Sequence, residues 1–297
     1  MPPRFTKQFI STILTLALGL ASCALPIPAS SGSGTPTAAS TPEAPTSTPV
    51  PAIATVNGEV IALTEYQAEI ARYLSAQTAL GKTVSNEDAA KIVLDELISE
   101  TLLAQAARTE GLLVTESALQ SRIDALVATL GGADKLSAWQ SAHGYTDESF
   151  RVALKRSAEA ALMRDKIIAG VPPTTEQVHA RQILFYNESE ARGVLDEIRS
   201  GVSFDEIAFL YDPATRGELG WFPRGYLLEP AIEDAAFALQ PGQVSDVIQT
   251  SIGFHIIMLV ERGEHALSPD ALYTLQQSAL QNWLTQQRAQ SQIVLTP

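Results

Sequence analysis

Apolar and polar positions alternate from Ile53 to Ile61 around Asn57-Gly58, and this alternation about a dipeptide that tolerates positive φ predicts a short β-hairpin. The spacing then becomes helical. Thr64 and Gln67 read as a capping box, and Tyr66, Ile70, Tyr73 and Leu74 recur at intervals of three and four. The same period runs through Ile92, Val93, Leu97, Ile98, Leu102 and Leu103 to Gly111, a helix-terminating glycine. It resumes after Thr115 with Leu119, Ile123, Leu126, Val127 and Leu130 and stops at Gly131-Gly132. Leu136 and Trp139 mark a short further helix, and Thr146 opens a longer one through Phe150, Leu154 and Ile167. Successive amphipathic helices make this stretch all-α.

Val171-Pro172-Pro173 ends that pattern, because consecutive prolines cannot continue a helix and push the preceding residue to extended geometry. Beyond this boundary the chain reads as a strand at 178–186, a helix at 188–200 stopped by Gly201, and a helix at 204–211. A Pro/Gly-containing loop at 212–217 leads to a strand at 218–222 and a helix at 230–239. Strands at 244–249 and 254–260 are joined through Ser251-Ile252-Gly253. The layout is α+β with a small antiparallel sheet. An amphipathic helix at 269–290, carrying Leu272, Leu275, Leu280, Trp283 and Leu284, precedes a closing strand at Ile293-Val294-Leu295. A lone helix cannot bury such a face, so it is expected to pack back on the N-terminal helices. The fold expected is therefore an α+β module, 174–264, inserted into a mainly α-helical domain split between 53–173 and 265–297.

The N-terminus carries Arg4 and Lys7 and then an uncharged stretch at 9–21 dominated by Ile10, Ile13, Leu14, Leu16, Leu18 and Leu20. This has the length of a signal-peptide core and falls short of the roughly 20 apolar residues of a spanning helix. Leu20-Ala21-Ser22-Cys23 follows and resembles a bacterial lipobox. That resemblance implies a signal peptide at 1–22 and a diacylglycerol thioether on Cys23, holding the protein on an extracytoplasmic membrane face. A secretory signal with a stray cysteine is the other reading. Residues 24–52 are almost all Pro, Ser, Thr, Ala and Gly, with Leu25, Ile27 and Val50 the larger apolar residues and Glu43 the only charge, too poor in apolar bulk to offset ordering entropy, and read with Cys23 as a tether at 23–52.

Composition narrows the chemistry. At 297 residues the chain exceeds the usual single core, and 45% apolar against 18% charged residues excludes global disorder. With 20 Lys+Arg against 33 Asp+Glu the formal charge is −13, and no basic cluster stands out, so no nucleic-acid partner is expected. A single cysteine leaves no intramolecular disulfide and no thiolate set for zinc. His143, His179 and His265 are scattered without metal-ligand spacing, and no Gly-x-Ser-x-Gly, P-loop or dinucleotide fingerprint is present. No metal and no cofactor are expected.

Four stretches in order carry a specific resemblance: Ala180-Arg-Gln-Ile-Leu184, Arg216-Gly-Glu-Leu-Gly-Trp-Phe222, Glu233-Asp-Ala-Ala-Phe-Ala-Leu239 with Pro241-Gly242, and Thr250-Ser-Ile-Gly-Phe-His-Ile-Ile257. Together they resemble the parvulin family of peptidyl-prolyl cis/trans isomerases. The flanking helical halves, with Val56-Asn-Gly-Glu59 at the opening, are similar to the split chaperone domain of SurA- and PrsA-type foldases. The resemblance implies a catalytic polar core of Asp212, Thr250 and His255, and a substrate-binding set of Gln182, Leu219, Phe222, Leu228 and Ile232. On the residues alone Leu219 serves equally as core. Asp212-Pro213 opens a turn readily, and a lone strand histidine is more often structural than catalytic.

Three departures from the family pattern stand out. Gln182 replaces a histidine, so a paired-histidine arrangement is lost. Leu228 stands for Met, and Ile232 replaces an aromatic that would stack on the proline ring. The loop at 212–217 is also shorter than in many members. The implied function is a lipid-anchored extracytoplasmic foldase that isomerises X–Pro bonds in secreted or envelope proteins and binds unfolded proline-containing clients. The alternative is a non-catalytic holdase with a degenerate parvulin module.

Overall fold

Asn57 and Gly58 take φ of 51° and 85°. Positive φ at both positions is what a two-residue type I′ turn demands, and it joins β1 (Ala52–Val56) to β2 (Glu59–Ala62) as an antiparallel hairpin. The computed structural model describes residues 51–296. The expected signal segment, Cys23 and the tether up to residue 50 lie outside the described residues.

α1 (Leu63–Ala79) starts directly from β2, and its N-cap is Ala62 with no side-chain cap. The capping box expected at Thr64 and Gln67 does not form, because the strand delivers the chain into the helix two residues too early for Thr64 to be its N-cap. α2 (Asn86–Thr109) ends as expected at Gly111, φ 76°, where Gly111 N donates to Arg108 O and Leu112 N to Ala107 O. These paired bonds satisfy two carbonyls the helix end would otherwise leave open. Thr115 Oγ1 accepts from Ala118 N at the start of α3 (Glu116–Leu130). α4 (Ala133–Ala142) and α5 (Asp147–Ala169) follow.

β3 (Thr174–Phe185) begins immediately after Pro173, earlier than the alternation predicts. It does so because it pairs along its whole length with β6 (Gly253–Ala266), from Thr174↔Ala266 to Phe185↔Phe254, a ribbon only the partner strand reveals. Between them lie α6 (Glu188–Arg199), α7 (Phe204–Tyr211), β4 (Glu218–Pro223), α8 (Pro230–Ala238) and β5 (Ile248–Thr250). The strand expected at 244–249 shrinks to β5. Ahead of it, Ile257 N donates to the Ser245 hydroxyl rather than to a backbone carbonyl, so no regular ladder forms there. The sheet is antiparallel in order β4-β3-β6-β5.

Both faces of this sheet are covered. Ile183, Phe185 and Ile256 pack on Ala191, Val194 and Leu195 of α6 and on Phe204, Ile207 and Ala208 of α7. Val178, Ala180, Phe222, Ile257 and Leu259 pack on Ile232, Ala236 and Phe237 of α8. Side chains alternate along a strand, so Gln182 and His255 share the α8 face with Ala180 and Ile257.

α9 (Pro269–Gln290) is capped by the Ser268 hydroxyl and packs Leu284 against Leu103, Ala104 and Ala107 of α2 and Ala160 and Met163 of α5. β7 (Ile293–Leu295) then pairs with β1, giving a second sheet of order β2-β1-β7. The described chain divides into two compact units. One comprises the residues up to Ile98, Val127–Glu148 and those from Gln292; the other comprises Ser99–Leu126 and Ser149–Ser291. Among the described residues no helix is long and apolar enough to cross a membrane.

Candidate functional site

The site assembles where β3, β6 and β5 run side by side. Leu184 lies opposite His255 on β6, so Gln182 is its diagonal neighbour on the same face, and Ile248 of β5 faces it from the other side. His255 Nδ1 is 3.1 Å from Gln182 Oε1, and its Nε2 is 2.8 Å from Thr250 Oγ1. The ring is fully buried, at 0% exposure. Burial pushes the imidazole below the ordinary histidine value of 6.5, while the negative charge of Glu229 acts in the opposite direction. The ring presents no surface to the adjoining cleft. Gln182 is the member of this trio that lines the adjoining cleft.

That cleft has a volume of about 380 Å³. It is lined by Gln182 and Leu184 of β3, by Tyr186 just beyond it, and by Tyr211, Asp212, Thr215 and Gly217 of the α7 end and the loop that follows. Asp212 follows α7 and folds the loop around its carboxylate. Oδ1 accepts from Ala214 N at 3.2 Å and Thr215 N at 3.1 Å, and Oδ2 accepts from the Thr215 hydroxyl and from Gly217 N at 3.3 Å. The Thr215 hydroxyl first, then the backbone N–H groups, hold this carboxyl below the usual 3.8. Asp212 thus has the geometry of a loop organiser, and it shares the cleft with Gln182.

The loop closes tightly on β3. Gln182 N donates to Gly217 O at 2.8 Å, and a Cβ at Gly217, φ 71°, would fall 1.7 Å from Gln182 O. Arg216, ahead of it, also has positive φ, 55°, an uncommon setting for a non-glycine residue. The Arg181 guanidinium holds it there by donating to Arg216 O at 2.7 and 3.0 Å, while also pairing with Asp205. Across the α8 face, buried Glu233 accepts from Gly225 N, Tyr226 N and Leu227 N at 2.7, 3.1 and 3.2 Å, shaping the turn before α8.

The structure brings Gln182 and Thr250 into direct contact with His255 and places Asp212 in the lining of the same cleft as Gln182. Phe222 and Ile232 are buried in the α8-side core with Leu219 packed against it. Leu228, expected to line the pocket, instead faces solvent at 96% exposure, and Leu227 packs on that core in its place. The turn that Glu233 organises sets this phase, and spacing from the flanking motifs cannot resolve it. Arg181 and Glu233 were not singled out from the sequence. Their signal was a charged side chain within a motif at an otherwise apolar strand or helix position. Among the described residues, no group of three or more His, Cys, Asp or Glu side chains is placed to hold a metal ion.

Comparison with known proteins gives two family matches. Residues 174–261 match the PPIC-type PPIase domain, and residues 5–162 match the SurA-like N-terminal domain. The chain is 28% identical to the foldase protein PrsA of Halalkalibacterium halodurans over 193 residues, 57% of each chain. It is 26% identical to the PrsA of Caldanaerobacter subterraneus subsp. tengcongensis over 241 residues, 69% of this chain and 72% of that one. It is 35% identical to the chaperone SurA of Dechloromonas aromatica over 139 residues, 39% of this chain and 32% of that one. The match thus spans just over half the length of the first of these relatives. Among solved structures, PrsA of Bacillus cereus is similar at 22% identity and a TM-score of 0.45, covering 78% of this chain and 87% of that one. NmPin, the parvulin of Nitrosopumilus maritimus, is similar at 32% identity and a TM-score of 0.26, covering 29% of this chain and 98% of that one.

Proposed function

This chain belongs to the SurA-like family and carries a PPIC-type peptidyl-prolyl isomerase domain, and from that premise we propose that it is a foldase that speeds rotation about X–Pro bonds in unfolded or partly folded polypeptides. Such a bond turns over tens to hundreds of seconds unaided, against a barrier of ~18–20 kcal/mol. No covalent bond breaks, so the site needs only to hold the twisted amide better than either planar form. In this reading the Gln182–His255–Thr250 chain is a rigid polar floor that suits the altered charge of the twisted carbonyl and nitrogen. The Asp212 loop lines the same cleft, and Leu219, Phe222 and Ile232 support the apolar side that receives the proline ring. The observation that carries the proposal is this hydrogen-bonded chain lying beside a cleft closed by the Asp212 loop.

The test is the cis/trans exchange rate of short X–Pro peptides, measured by NMR with the purified protein. Acceleration is expected, with Asp212→Ala and His255→Ala lowering it by about one to two orders of magnitude while suppression of client aggregation persists. A folded protein that accelerates no X–Pro peptide yet still suppresses aggregation would overturn the enzyme reading in favour of a holdase.

Two further parts belong to the proposal. The lipobox-like Leu20-Ala21-Ser22-Cys23 supports a lipid anchor on an extracytoplasmic membrane face. The pairing of β7 with β1, and the packing of α9 on α2 and α5, support residues 174–264 being an insert between the halves of one helical domain, 53–173 and 265–297.

A further inference from the structure

A carboxamide oxygen only accepts, so a contact of 3.1 Å between Gln182 Oε1 and His255 Nδ1 requires the proton on Nδ1. In a neutral ring Nε2 is then an acceptor, and the Thr250 hydroxyl, 2.8 Å away, is its donor; the same hydroxyl lies 3.4 Å from Gly253 O, a longer contact that competes weakly for its one proton. Thr250 Oγ1 in turn accepts from Ile252 N at 3.2 Å. Every polar atom of the buried ring is satisfied by one direction of hydrogen bonding that starts at a backbone N–H and ends on Gln182.

Resting on the isomerase reading, we infer that Gln182 is a positioning residue that fixes His255 as the neutral Nδ1–H tautomer and makes the site insensitive to pH across the histidine range. The groups around the ring agree. β3 and β5 present Gln182 and Thr250, neither of which titrates there. The Asp212 carboxylate is engaged by its own loop, and Glu233 by the backbone of the turn before α8. Among the described residues Glu229, ahead of α8, is the one charge that bears on the ring, and it also accepts from the Ser251 hydroxyl. Burial of the ring opposes it and is the larger effect. A histidine at position 182 would add a second titrating ring against the first, whereas a glutamine links the site to no proton equilibrium. His255 then serves as a fixed strut and takes no part as acid or base.

The test uses the ¹⁵N-labelled full chain and long-range ¹H–¹⁵N correlation of its histidines. The expected result is a pyrrole-type Nδ1 and a pyridine-type Nε2 for His255, unchanged between about pH 8 and 5.5. The rate of X–Pro exchange should vary less than about twofold over the same range. In Gln182→Glu, a carboxylate facing Nδ1 should raise the affinity of the ring for a second proton, give a titrating His255 signal and make the rate pH-dependent. A wild-type His255 protonated on Nε2, or one that titrates near the ordinary value, overturns the inference. The tautomer is read without any activity, so a protein that isomerises nothing would overturn the isomerase reading and leave this result standing on its own measurement.

Discussion

Gly217 shows how one residue sets the cleft. Its φ of 71° and the 1.7 Å approach of a notional Cβ to Gln182 O leave room for hydrogen alone, and the same approach forms the bond from Gln182 N to Gly217 O. Gly217→Ala should expel the loop from β3, lowering stability by on the order of 2–4 kcal/mol in urea unfolding and removing the Asp212 wall. An unchanged unfolding midpoint would refute this account of the loop. Asp212 itself was legible as a turn former, because Asp-Pro opens loops by local chemistry. Its engagement by four donors was not legible, since the Gly217 N–H arrives only when the loop is closed on β3. Gln182 reads in the sequence as a loss of a histidine; in the fold it becomes the acceptor that orients the remaining one.

At the scale of elements, helices with a strong period and glycine stops were the most legible, because cap and period are both local. Gly111 and Gly201 end α2 and α6 through the same pair of backbone bonds, the glycine N–H to the carbonyl three residues back and the following N–H to the carbonyl five back. Strand limits depend on partners: β3 and β6 extend each other beyond their apolar alternation, and β5 is shortened where Ser245 replaces a backbone acceptor. α9 illustrates an amphipathic face whose need for cover is readable and whose partner is not. Leu284, buried among Leu103, Ala107, Ala160 and Met163, is the contact through which α2, α5 and α9 share a core. Leu284→Ala should cost about 2–5 kcal/mol and lower the thermal midpoint of the unit that contains it. A loss within experimental error would show that α9 is not held there by its apolar face.

For the whole molecule, the formal charge of −13 and the lipobox-like segment are properties of the chain as such. A diacylglycerol on Cys23 would supply membrane affinity at ~0.8 kcal/mol per buried methylene, and a spanning helix would then be unnecessary. Cys23→Ala is therefore expected to move the protein from the membrane fraction to the soluble fraction and to abolish incorporation of labelled fatty acid. Retention of both in the variant would remove the anchor from the proposal.

The sequence by itself determined what rests on neighbours along the chain: the type I′ hairpin, the run of helices, the proline break at 172–173, the order of the isomerase motifs and the place of the one cysteine. Backbone preferences and apolar period act within a few residues, so they survive without a fold. Tertiary structure alone decided that Leu227 and not Leu228 meets the core, that β7 closes on β1, and that Gln182, Thr250 and His255 join in one hydrogen-bonded chain. Those outcomes depend on strand register and on the closing of loops between residues far apart in sequence, where one step of register exchanges the side chain that is buried for the one that is not.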